Sequence, residues 1–153
     1  VEDNTATIYM SVGDKYKKAP YVSRDIAFGA SAIYSTSDDL LKFSRALYFG
    51  DLLNNKSKNL LLKKHSKDNG NFYGYGTMMV KQWSEDGTKF HEYYGHKGGP
   101  SLGVNTLLGV NPRNNSITII LSNNHSSKPD DIFYLLQEVL LTETESNVGS
   151  LKE

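Results

Sequence analysis

Between residues 73 and 121 the chain repeats one pattern, a run of aromatic and β-branched residues broken by a cluster of turn formers, and this constrains the fold more than any other feature. Residues 73–83 and 90–94 are strand-like and flank Glu85-Asp86-Gly87, a hairpin signal. Residues 104–110 and 117–121 are two further strand-like runs, joined by Asn111-Pro112-Arg113-Asn114-Asn115. Connections this short can join only antiparallel neighbours. The pattern therefore predicts an antiparallel meander of about four to five strands.

Helical signals flank the meander, which makes the expected class α+β, an antiparallel sheet flanked by helices. Ser35-Thr36-Ser37-Asp38-Asp39 sets a hydroxyl N-cap and first-turn acids ahead of Leu40, Phe43 and Leu47, and this helix is expected to end near Gly50. Leu60-Leu61-Leu62 after Ser57 predicts a shorter helix, closed by the polar stretch 65–71 with Asp68-Asn69-Gly70 as a turn. Pro129-Asp130-Asp131 opens a third helix, whose Ile132, Leu135, Leu136, Val139 and Leu140 are spaced as one buried stripe. Residues 142–153 are polar without periodicity and read as a frayed tail.

Composition narrows the function. The 153 residues fit a single domain, or part of one, and residues 1–153 are read here as one partial domain. Seventeen basic residues balance seventeen acidic ones, so no net field gathers nucleic acid or an anionic membrane, and nucleic-acid partners are not expected. With no cysteine there is no disulfide, thiolate nucleophile or zinc-thiolate site. No apolar run approaches the ~18–20 residues of a membrane span, and Val1-Glu2-Asp3-Asn4 is not a signal peptide.

Several motifs fail on context. Gly99-Pro100-Ser101-Leu102-Gly103 spells G-x-S-x-G, but a strand-like run follows where a nucleophile elbow needs a helix, and His125 precedes Asp130 and Asp131. His91-Glu92-Tyr93-Tyr94-Gly95-His96 is one residue too long for a zinc-protease helix: an i, i+5 pair lies ~140° apart around the helix, against ~40° for i, i+4. No metal is expected. Gly74-Tyr75-Gly76 and Gly98-Gly99 lack dinucleotide-loop spacing and no Walker sequence occurs, so no cofactor is expected either. His65 and His125 fall in polar loops and read as solvated, and three asparagine triplets that match glycosylation acceptors are too short a pattern to carry weight.

One constellation remains, Gly95-His96-Lys97-Gly98-Gly99-Pro100. Gly98 and Gly99, without Cβ atoms, let another backbone approach and pair, while His96 and Lys97 can meet a carboxylate or a developing oxyanion. An ordinary glycine-rich turn with two exposed polar residues reads the same six letters as well.

Three segments in order resemble the serine β-lactamase-like family, which includes class C β-lactamases, D-alanyl-D-alanine carboxypeptidases and related esterases. Gly29-Ala30-Ser31-Ala32-Ile33-Tyr34-Ser35-Thr36-Ser37-Asp38-Asp39-Leu40 is similar to that family's glycine-rich lead into an S-T-x-x-D-L helix. Tyr73-Gly74-Tyr75-Gly76 ahead of Gly95-His96-Lys97-Gly98-Gly99 resembles its Y-G-x-G strand before a K-T-G or H-x-G motif. Leu107-Leu108-Gly109-Val110-Asn111-Pro112 and Ile119-Ile120-Leu121-Ser122-Asn123 look like its final strand pair. The resemblance covers residues 6–141 and implies the C-terminal part of a β-lactamase/transpeptidase-like fold.

By resemblance, His96 takes the K/H role of the third motif, Lys97 its middle position and Gly98 its closing glycine, with the Gly99 amide as an oxyanion-hole donor. Lys97 stands where many members have a hydroxyl residue that binds the substrate carboxylate. The family's nucleophile departs: no serine here has lysine three residues on, and no Y-x-N run occurs upstream of the triplet. The implied function is that of the C-terminal segment of a serine acyl hydrolase, inactive alone, whose partner is a peptide-like or ester substrate with a carboxylate. An extracytoplasmic location and self-association, or association with the missing N-terminal part, are expected with it. The rival expectation is a non-catalytic module that binds cell-wall peptides or a protein.

Overall fold

The computed structural model describes residues 4–21, 23, 29, 31, 33–83, 87, 88, 90–99 and 103–149, excepting the side chains of 141–149. Outside them lie Val1-Glu2-Asp3, Ala30, Ala32, Glu85 and Asp86 of the hairpin signal, Pro100-Ser101-Leu102 of the G-x-S-x-G run, and residues 150–153.

The main sheet is six-stranded, antiparallel, and in sequence order: β3 (Ser66–Asp68), β4 (Asn71–Tyr73), β5 (Met78–Trp83), β6 (Phe90–Gly98), β7 (Asn105–Val110) and β8 (Ile117–Ser122). This is an α+β meander, longer than the four to five strands expected. Two differences account for the extra length. The run 73–83 breaks at Gly74-Tyr75-Gly76, where the Gly74 N–H donates to the Thr77 carbonyl (2.8 Å), so β4 and β5 are separate strands. Asp68-Asn69-Gly70 is itself a hairpin turn, with Asn69 and Gly70 at φ of 46° and 85°, the left-handed pair that suits a two-residue loop. The strand it closes, β3, is exposed throughout and carries no apolar alternation to betray it.

Before the sheet, β1 (Tyr9–Val12) and β2 (Lys15–Lys18) form a separate hairpin, not among the elements expected, whose turn is Gly13-Asp14. It is tied to the end of β8: the Tyr9 N–H donates to the Asn123 carbonyl (2.8 Å), and the Asn123 amide donates to the Thr7 carbonyl (2.7 Å).

Helix α1 (Ser37–Ser44) starts as its cap predicts, with Thr36 Oγ1 accepting the Asp39 N–H at 3.2 Å. It continues through a π-helical turn, Arg45–Phe49, to Gly50. The shorter α2 (Asn55–Leu61) is capped by Asn54 Oδ1, which accepts from the Ser57 N–H (2.9 Å). The third helix, α3 (Pro129–Gly149), runs on through the residues read as a tail.

The buried face of α3 is not the stripe the spacing selects. Ile132, Leu135, Leu136 and Val139 are exposed, Leu135 at 64%, whereas Phe133 is fully buried at 0% and Gln137 nearly so. Complementarity decides between the faces. The Phe133 ring lies over Gly109 of β7, where a Cβ would come within 2.6 Å of it, and packs on Tyr93 of β6 with centroids 4.6 Å apart. One turn on, the Gln137 amide accepts from Asn111 Nδ2 (2.5 Å) and donates to Thr118 Oγ1 (2.9 Å), so two buried polar residues beneath the helix are satisfied by that side chain. Apolar counting ranks faces by transfer energy alone and cannot see a ring-shaped recess or an amide-shaped one.

This arrangement predicts an asymmetry in urea unfolding. Phe133→Ala is expected to cost about 3–5 kcal/mol, and Leu135→Ala less than about 0.5 kcal/mol. Equal losses would place the buried stripe where the spacing alone puts it.

Candidate active site

The pairing of β6 with its two neighbours is unequal in length, and the sequence-predicted site lies in the difference. Pairing with β5 ends at Met78 opposite Gly95, while pairing with β7 continues through His96, Lys97 and Gly98 to Thr106. The last three residues of β6 thus have a strand on one side only. Their outer backbone edge is open, in the manner of an edge strand that accepts an added chain.

His96 stands on this edge with its ring folded against its own strand, Nδ1 lying 2.7 Å from the Lys97 carbonyl oxygen. A carbonyl only accepts, so Nδ1 carries the hydrogen in this contact. Gly98 has no room for a side chain, because a Cβ would overlap Oγ1 of Thr106, its cross-strand partner. Gly99 follows directly and lines the same opening.

That opening is a cavity of about 1110 Å³. One wall is His96 to Gly99, another is the start of α1 at Thr36, Asp39 and Leu40, and the floor is Thr106 and Leu108 of β7 with Leu121 of β8. A smaller recess of about 350 Å³ lies behind His96, between Leu47, Tyr48 and Tyr75.

Lys97 does not aim its charge into the cavity. Strand alternation sets it on the side of β6 that faces α3, with His91 and Tyr93, and its Nζ lies 2.6 Å from Oδ1 of Asp130. The contact is an ion pair rather than an aligned hydrogen bond, since that buried oxygen gains no hydrogen-bonding partner from it. Asp130 was legible only as a helix-opening acid. Its partner is remote in sequence, and no local pattern couples the two.

Burial dominates the ionisation of the nearby phenols. It pushes Tyr93 far above the ordinary tyrosine range, with the Asp130 charge adding to the effect, and its buried hydroxyl has no hydrogen-bond partner among the described residues. Tyr134 is pushed up to about 12, first by burial and then by Asp130 and Asp131. On the opposite face burial also raises Tyr48, against the hydrogen bond with Thr77, and Tyr94, which packs on Tyr48 at 4.9 Å. Burial alone would raise Glu92 as well, but Lys81 and Arg113 outweigh it and hold this carboxyl below its usual range.

The other histidines are placed apart from the site. His91 is buried against Tyr134 of α3 (4.5 Å), so the H-E-x-x-x-H run lies on a strand rather than a helix. His65 is exposed, as expected of a polar loop, with its Nε2 2.9 Å from the Leu60 carbonyl oxygen and its ring stacked on Tyr75 (4.0 Å). No group of three or more metal-ligating side chains occurs among the described residues.

An antiparallel sheet flanked by helices is an α+β fold, consistent with the serine-hydrolase type of fold that the family match gives. The Beta-lactamase family model matches residues 1–140, and the chain belongs to that family. No curated protein and no solved structure matches it.

Two outcomes follow. Gly98→Ala should destabilise by about 1–3 kcal/mol through overlap with Thr106. Thr106→Ala should recover most of that loss in the double variant, and simple additivity would refute the clash. For pH, Tyr93 and Tyr134 hold their protons in the fold above about pH 10, where unfolded tyrosine releases them. Their stabilisation is complete below about pH 10 and declines as pH rises toward 12. Urea midpoints should fall across that interval, with tyrosinate absorbance from the two phenols appearing on unfolding; a flat midpoint would contradict this.

Proposed function

We propose that the chain forms the C-terminal segment of a serine acyl hydrolase of the D-alanyl-D-alanine carboxypeptidase, β-lactamase or esterase type, acting on a peptide or ester. The observation that carries the proposal is the half-paired end of β6. An extended substrate backbone can lie along the open edge at His96 to Gly98, where the absence of Cβ atoms at Gly98 and Gly99 permits close approach. In this reading His96 serves as the polar head of the third motif, with Nε2 toward the substrate. The Gly99 amide donates to the oxyanion that forms as the carbonyl is attacked.

The nucleophile belongs to other residues. No S-x-x-K occurs in the 153 residues, so the serine, the lysine and the Y-x-N tyrosine are assigned to an upstream part of the same protein, and this segment alone does not turn over. Cell-wall peptides or extracellular esters as substrates imply an extracytoplasmic location. The exposed Ile132, Leu135, Leu136 and Val139 of α3 suit self-association or contact with the nucleophile-bearing part.

Incubating the 153-residue chain with a fluorophosphonate probe and weighing it by mass spectrometry tests this assignment. The expected result is no stoichiometric adduct. Labelling of a single serine within the chain would overturn it.

A further inference from the structure

The smaller recess behind His96 is continuous with the cavity, because His96 and Leu108 line both. These two residues are cross-strand partners and share one face of the sheet, the face on which Tyr94 packs against Tyr48. The recess therefore opens on the same side of β6 as the cavity floor.

Its lining is apolar and carries no fixed charge. Leu47, Tyr48 and Tyr75 form its walls, with Phe43 and Leu61 beyond them, and among the described residues no lysine, arginine, aspartate or glutamate lines it. The Tyr48 hydroxyl is already matched to Thr77 Oγ1 at 3.4 Å, which leaves its ring as the surface an occupant meets. Tyr75 is held at the rim by two contacts: its N–H donates to the Leu61 carbonyl (3.1 Å), and its ring stacks on His65 (4.0 Å). A volume of about 350 Å³ lies at the small end of the range for ligand pockets. An ionised group placed there would give up hydration without meeting a counter-charge, whereas an apolar group gains from the transfer.

The departure of β5 sets where the recess lies. The ladder ends at Met78 opposite Gly95, and the chain before it turns away through Gly76, at φ of 67°, with the Gly74 N–H closing on the Thr77 carbonyl. The open edge of β6 and the mouth of the recess thus begin at the same residue, His96. Partners across a ladder point to the same face, so a substrate residue paired in extended form against His96 directs its side chain to the recess side of the sheet.

We propose that this recess is a specificity subsite for an uncharged apolar side chain, aliphatic or aromatic, on the substrate residue opposite His96, with Leu47 and Tyr75 as its specificity-determining residues. The inference rests on the reading of the open β6 edge as the substrate site and narrows the peptide or ester to one that carries a large apolar group.

Two neutral probes that differ only in that group test it: N-acetylglycine methyl ester and N-acetyl-L-phenylalanine methyl ester. Their binding to the 153-residue chain is followed by NMR, through the His96 and Gly98 amides for the edge and the Leu47 methyl groups for the recess. The phenylalanine ester should bind about tenfold tighter, and its ring protons should show nuclear Overhauser contacts to the Leu47 methyls. Tyr75→Ala should cut that preference to within about threefold while leaving the glycine ester within about twofold of its wild-type affinity. Tyr75→Phe should keep the preference, because the ring and not the hydroxyl forms the wall.

Equal affinity of the wild-type chain for the two esters, or a preference that survives intact in Tyr75→Ala, would overturn the subsite and leave the edge site standing. If Tyr75→Ala does not fold, the wild-type contacts decide alone: tight binding of the phenylalanine ester without contacts to Leu47 places its ring elsewhere and overturns the inference. Failure of both esters to shift the His96 and Gly98 amides would overturn the substrate-site reading and this inference together.

Discussion

The nine-residue strand β6 is the constraint on which the rest of the structure depends. Its alternation hands successive side chains to opposite layers: His91, Tyr93 and Lys97 to α3, and Tyr94 to Tyr48 beyond α1. A slip of one residue would exchange the two sets and place Lys97 where His96 now stands. The ladder with β5 and β7 prevents that slip, and the early end of β5 opens the edge at which the candidate site lies. Sheet register and site geometry are therefore one constraint.

The same strand explains why α3 sits as it does. Tyr93 offers an aromatic face and Gly109, paired with Gly95 across the ladder, offers a vacant Cβ position, and together they form the recess that Phe133 fills. Seating Phe133 brings Gln137 over Asn111 and Thr118, and Asp130 over Lys97. Packing, polar satisfaction and the pairing of Lys97 thus follow from one helix position. The apolar residues left outside, from Ile132 to Val139, are what that choice exposes.

The triplet His96-Lys97-Gly98 divides its labour across the sheet. His96 turns to the open edge, Gly98 yields its side-chain volume to Thr106, and Lys97 is drawn away by Asp130. Membership of the beta-lactamase family sets the hydrolase-type fold, while the chemistry of this wall is read from these contacts. An H-x-G run whose middle lysine is ion-paired with a helix carboxylate differs electrostatically from one with a free cation, although the letters are identical.

What the sequence determined by itself was local. Turn chemistry at Asn111-Pro112-Arg113-Asn114-Asn115 set the β7–β8 pairing, the Thr36 hydroxyl started α1, and Gly98 and Gly99 marked where backbone could be approached. Each rests on backbone preferences that act within a few residues. Tertiary structure decided the remainder. The exposed β3 became a strand by pairing with β4, the buried face of α3 was chosen by the shape of the sheet beneath it, and Lys97 found Asp130 through a helix packed on its strand. Those outcomes depend on which surfaces meet, and periodicity along one segment carries no information about the surface it will meet.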